Sequence, residues 1–169
     1  RFFESTVLHQ RDVDTMHANL PEFERPGHKW EPMRDWSKGG QHRHSYNHYS
    51  GAPNHGHTWN ESITNYYFLT GDRRAREVAM DIGEYMYGAP MGKVSKSAFD
   101  WWTKHKKESQ HYGRAAANCY RAMLKCYEIT GEKIWLDEIV KWRENYLKTT
   151  PRFLHEVKLS TFQINHYLT

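Results

Sequence analysis

Between Gly39 and Trp59 the chain reads GGQHRHSYNHYSGAPNHGHTW, gathering five of its twelve histidines with two tyrosines and a tryptophan. Imidazole is the side chain whose ordinary pKa lies nearest neutrality, so such a loop offers general bases, general acids or metal ligands. His42 and His44 alternate along the chain, as do His55 and His57, and in an extended segment that spacing sets both rings on one side. Neutral imidazoles from His42, His44 and His57 could hold zinc and leave a position open for water. Asp12 and Asp14 could join that site or take calcium, although a solvated helix start accounts for both more simply. The pairs Asn47-His48, followed by Tyr49, and Asn54-His55 suit proton transfer instead. The bland alternative is a glycine-rich loop whose polar rings only tie it to its neighbours.

Carboxylates give a second line of chemistry. Hydrolysis of a glycoside needs two carboxyl groups facing one cleft. Most acids here (Glu77, Asp81, Glu84, Asp137, Glu138 and Glu144) read as solvated helix faces. Glu61 and Asp100 stand apart because each lies near a long loop. Asp100 precedes Trp101 and Trp102, a pair suited to stacking on a sugar or to closing a core, and Lys104 opens a basic stretch through Lys107 that would favour an anionic polymer.

These groups must be positioned by helices. NYYFLTGDRRAREVAMDIGEY from Asn65 aligns with KCYEITGEKIWLDEIVKWREN from Lys125 at an offset of sixty residues, matching Tyr67 with Tyr127, Thr70 with Thr130, Gly71 with Gly131 and Glu84 with Glu144. Each copy reads as helix, glycine turn, helix. In the first, Trp59, Ile63, Tyr66, Tyr67 and Thr70 recur at helical spacing, then Ala75, Val78, Ala79, Ile82 and Met86. In the second the stripes are Ala116, Cys119, Met123, Cys126 and Tyr127, then Trp135, Ile139, Trp142 and Tyr146. Gly71 and Gly131 sit where a helix end needs a left-handed residue, and Asp72 can cap the helix that follows.

The expected organisation is all-α. Residues 1–56 form an irregular His-rich segment with a short helix near Leu8 to Met16, 57–150 hold two helical hairpins, and 151–169 begin a further element, strand or helix. If the hairpins stand side by side, the long loops Gly39 to Thr58 and Gly88 to Tyr112 leave at the same end.

Bulk properties narrow the partners. A net charge of +4 leans toward an acidic partner, but no Lys/Arg run of the kind found in nucleic-acid arms is present. No apolar run reaches the roughly 20 residues needed to span a bilayer. Cys119 and Cys126 lie seven apart on one expected helix, too far along its axis to bond each other, and read as buried thiols that do not decide the redox compartment. The chain opens on Arg1, as a processed or excised piece of a longer protein would.

The YFLTGD turn with its acidic and basic helix, repeated as YEITGEK, resembles the hairpin repeat of (α/α) toroid enzymes that act on polysaccharides. The wording GGQHRHSYNHYSG…GHTW looks most like the toroid domain of rhamnogalacturonan exolyase-like proteins, within the wider group of toroid-type polysaccharide lyases. That resemblance covers about 90 residues and implies two hairpins of a larger ring, further domains in a longer chain, a secreted or periplasmic location and an anionic polysaccharide as partner. It also implies β-elimination beside a uronate carboxylate. Asn54 or Asn47 with Arg114 would neutralise the carboxylate, His55 or His48 would take the proton, and Tyr49 or Tyr112 would protonate the leaving oxygen. Trp59, Glu61, Asp100, Trp101, Trp102 and Lys104 would line the sugar path. A glycoside hydrolase on the same fold, or a helical-repeat module that binds sugar or protein without chemistry, is the alternative.

Overall fold

Two glycine turns organise the chain. Gly71 and Gly131 adopt φ of 72° and 71°, a left-handed conformation that glycine enters without a steric penalty. Each donates its N–H to the carbonyl four residues back, on Tyr67 and Tyr127, at 2.7 Å. The next helix starts at once, and the Asp72 carboxylate caps it by accepting from Ala75 N at 3.0 Å. Thr70 and Thr130 match too, each hydroxyl accepting from the N–H two residues on.

The computed structural model describes residues 2–19, 37–42, 53, 55–88 and 110–149, with 110–116 and 142–149 given as backbone. Among the described residues there are five α-helices and no strand: α1 (Phe2–His9), α2 (Glu61–Thr70), α3 (Arg73–Gly88), α4 (Gln110–Thr130) and α5 (Lys133–Thr149). The all-α expectation holds for them. Helices α2 and α3 form one antiparallel hairpin, α4 and α5 the next, and α3 packs along α4 to join the two.

The core is drawn from the stripes read from the repeat, although Thr70 is exposed and the side chains of Ala116, Trp142 and Tyr146 lie outside those described. Ile63, Ala75, Val78, Ala79, Ile82 and Met86 meet Cys119, Met123 and Cys126, with Tyr85, Ala122 and Trp135 also buried. Fully burying each larger aliphatic side chain contributes about 1.5–3 kcal/mol. Both cysteines are unbonded thiols, and burial raises both pKa values, Cys126 up to about 12.

Helices α3 and α4 pack tightly at Gly83, where an added Cβ would lie 1.9 Å from Cys126 Sγ. Gly83→Ala is therefore expected to cost about 1–3 kcal/mol through overpacking. Cys126→Ala in the same chain should recover much of the loss, because the sulfur is the obstructing atom. Urea melts of the two single variants and the double variant measure this, and equal losses in G83A and G83A/C126A would contradict the close approach.

Three sequence expectations change. The first helix lies at Phe2–His9, ahead of the expected Leu8 to Met16, and continues as a wider π turn through Asp14. The spacing of Leu8, Val13 and Met16 misleads because polar Gln10 and Thr15 face inward while Val13 is exposed. Trp59 belongs to no helix, since α2 starts at Glu61, and its ring is exposed. Glu138 is buried at 8% exposure, with Lys141 Nζ 2.7 Å from its Oε1, where a solvated face was expected.

Residues 10–19 and 37–42 form a strap along α3. They pair through a single antiparallel bridge, Thr15 with Gln41, supported by Met16 N to Gly40 O at 2.9 Å and His42 N to Asp14 O at 3.0 Å. Ion pairs fasten the strap to α3 and its cap: Arg11 to Asp72 at 2.5 Å and Lys38 to Asp81 at 2.7 Å.

Candidate functional site

The His-rich loop ends in a single 3-10 turn, His55–His57, seated against α4. His55 is fully buried, and its ring stacks on Tyr85 of α3 with centroids 4.7 Å apart and planes 9° from parallel. Its backbone carbonyl accepts from Asn118 Nδ2 of α4 at 3.2 Å. Burial pushes the imidazole pKa down to about 4, so the ring is neutral at physiological pH.

Tyr85 stands thirteen residues past Asp72, and Asn118 thirteen residues before Gly131. At 1.5 Å per residue the turn that holds His55 lies about 20 Å from both glycine turns. The loop thus meets the hairpins at the end away from their short turns, as the expected polarity requires. Arg114 lies one helical turn before Asn118 on α4, and Tyr112 half a turn earlier again.

Beyond the 3-10 turn burial alternates along the chain: Thr58 and Asn60 are buried, His57 is half-buried and Trp59 exposed. The buried members are hydrogen-bonded. Asn60 Nδ2 donates to the carbonyls of Ala79 at 3.1 Å and Ala122 at 3.3 Å, tying α3 to α4 at the head of α2. Thr58 Oγ1 accepts from Gln41 N at 3.3 Å. Glu61, in the first turn of α2, is paired with Arg121 of α4, whose Nε lies 2.5 Å from its Oε1.

Of the expected site residues, the structure brings His55, His57, Trp59 and Glu61 into one segment against α4, the helix that carries Tyr112 and Arg114 in its first turns. His42 lies on the strap with Nε2 2.9 Å from Val13 O. Among the described residues, no three His, Cys, Asp or Glu side chains gather closely enough to hold a metal ion. His44, Asn47, His48, Tyr49, Asn54, Asp100, Trp101, Trp102 and Lys104 lie outside the described residues, as do all of 89–109 and 150–169. No helix among the described residues is long and apolar enough to cross a membrane.

Sequence reasoning missed Gln10, Gln41, Asn60, Asn118 and Arg121. Asn118 carried a usable signal: an amide beside the apolar stripe of α4, where asparagine disfavours helix unless its side chain has a partner. Gln10 and Gln41 carried none, because their partners are backbone groups far away in sequence. Compared with protein-family models, curated proteins and solved structures, the chain matches none.

Proposed function

We propose that this chain is part of an (α/α) toroid domain that cleaves an acidic, uronate-containing polysaccharide by β-elimination, in a secreted or periplasmic enzyme. The observation that carries the reading is the seating of the His55–His57 turn between Tyr85 of α3 and Asn118 of α4. That contact brings the end of the His-rich loop beside the helix bearing Arg114 and Tyr112, the groups that the resemblance assigns to carboxylate neutralisation and leaving-group protonation.

Elimination needs the uronate charge offset before the adjacent carbon acid can give up its proton. It then needs a base of near-neutral pKa. His55, buried and held down to about 4, suits an anchoring part, and the base role falls to His48. Asn47 or Asn54 with Arg114 would neutralise the carboxylate, and Tyr49 or Tyr112 would act as the acid. Trp59, Asp100, Trp101, Trp102 and Lys104 would bind the sugar chain.

Glu61 is engaged by Arg121, which argues against its acting as one of two free acids in a glycosidase. Mass spectrometry of products separates the two reactions: elimination fragments are one water lighter than hydrolysis fragments. The expected products from polygalacturonate, alginate or a glycosaminoglycan are the lighter ones. Hydrolysis masses would replace this reading with the glycosidase, and binding without cleavage would replace it with the non-catalytic module.

A further inference from the structure

The sequence contains one Asn-X-Ser/Thr triplet with X other than proline, Asn60-Glu61-Ser62. That pattern is the acceptor for N-linked glycans, and it ordinarily marks an exposed loop. Here the acceptor atom is enclosed. Asn60 is 0% exposed at the head of α2, where its carbonyl accepts from Thr64 N at 2.9 Å. Its side-chain nitrogen carries two hydrogens, and two carbonyls take them, Ala79 O on α3 at 3.1 Å and Ala122 O on α4 at 3.3 Å. The hydroxyl that completes the triplet is engaged as well, since Ser62 Oγ donates to Gln10 Oε1.

An oligosaccharyltransferase must reach both groups to move a sugar chain from a polyprenyl pyrophosphate onto the amide. The bond from the anomeric carbon to the phosphate oxygen breaks, a bond from that carbon to Nδ2 forms, the pyrophosphate leaves on its lipid, and Nδ2 releases one proton. With one N–H gone, Nδ2 could serve only one of its two carbonyls. The steric consequence is larger. Nδ2 lies 3.9 Å from Cys126 Sγ, at a helix contact so tight that an added Cβ on Gly83 would fall 1.9 Å from the same sulfur. A sugar ring on Nδ2 has no room there unless α3 and α4 separate.

We infer that Asn60 is an N-glycan acceptor in the unfolded chain and that folding closes it, so that the glycan and the native α3–α4 contact exclude each other. A chain that meets the transferase before it folds is diverted from the native state by a single transfer. One that folds first is not modified. The inference stands apart from the polysaccharide reading, because it uses neither a sugar substrate nor the His-rich loop.

Solubilised eukaryotic oligosaccharyltransferase, supplied with a dolichyl pyrophosphate oligosaccharide, tests this on the full chain prepared without glycosylation. A synthetic peptide of residues 57–65 serves as the unfolded reference. Mass spectrometry should show the peptide taking a glycan and the folded chain taking it about a thousandfold or more slowly, because only its unfolded fraction can react. Gly39→Ala, whose added Cβ would meet the α3 backbone at 2.0 Å, should unfold more often and react faster than the wild type. Ser62→Ala, which lacks the acceptor hydroxyl, should not react. Chains that carry the glycan should show no cooperative melt. A folded wild type modified as fast as the peptide, a peptide that takes no glycan, or a glycosylated chain that melts like the wild type overturns the inference.

Discussion

Gly39→Ala is expected to destabilise the protein more than any other single methyl addition at a described glycine. A Cβ on this residue would fall 2.0 Å from the carbonyl oxygen of Asp81 and 2.5 Å from its carbon. Those atoms belong to the backbone of α3, so they cannot swing aside as a side chain would. Gly39 also has φ of 86°, where a side chain is strained regardless of space. Strain of about 1 kcal/mol and overpacking of about 1–3 kcal/mol give a combined loss of about 4 kcal/mol at the upper end. A thermal midpoint lower by about 10 °C follows for a chain of this size. Gly71→Ala is the matched control: φ is 72°, but nothing lies within 4 Å of its added Cβ, so only the strain remains. Calorimetry of both variants decides the point. A loss in G39A no larger than in G71A would mean that the strap does not lie against α3 as described.

Acid should weaken the fold through His55. The folded pKa is about 4, against an ordinary value of 6.5, so between those limits the unfolded chain binds the proton and the folded chain does not. Stability from this group is complete above pH 6.5, falls as pH drops toward 4, and is flat below. The interval corresponds to about 3 kcal/mol at full development. The chain carries eleven other histidines, so the informative quantity is a difference. Urea melts from pH 7 to pH 4 should lose about 3 kcal/mol more in the wild type than in His55→Phe, which keeps a ring against Tyr85 but has no proton to accept. Parallel curves for the two proteins would contradict the burial of the imidazole.

How much of this was legible in the residues depends on the range of the interactions. The hairpins were, because apolar stripes at helical spacing and a glycine at each turn are local signals; every apolar residue named for α3 is buried. The course of residues 2–19 was not, because Gln10 and Thr15 face inward to Trp59 and Gln41 in other segments, and apolar spacing cannot report such polar burial. At the candidate site, the concentration of histidine showed where to look but did not separate roles. His55 and His57 are equivalent in spacing, yet one ring is fully buried against Tyr85 and the other half-buried. That difference comes from Asn118 and Tyr85 on two other helices, and no pattern within the loop encodes it.

We propose that the His-rich loop and the head of α4 together form a site for β-elimination. Ultraviolet absorbance of unsaturated uronides, followed during incubation with polygalacturonate, alginate and a glycosaminoglycan, tests it most directly. A steady rise is expected with at least one of these polymers, lost in Arg114→Ala and in His48→Ala while both variants melt like the wild type. No rise with any acidic polymer, or a rise that survives in both variants, would contradict it.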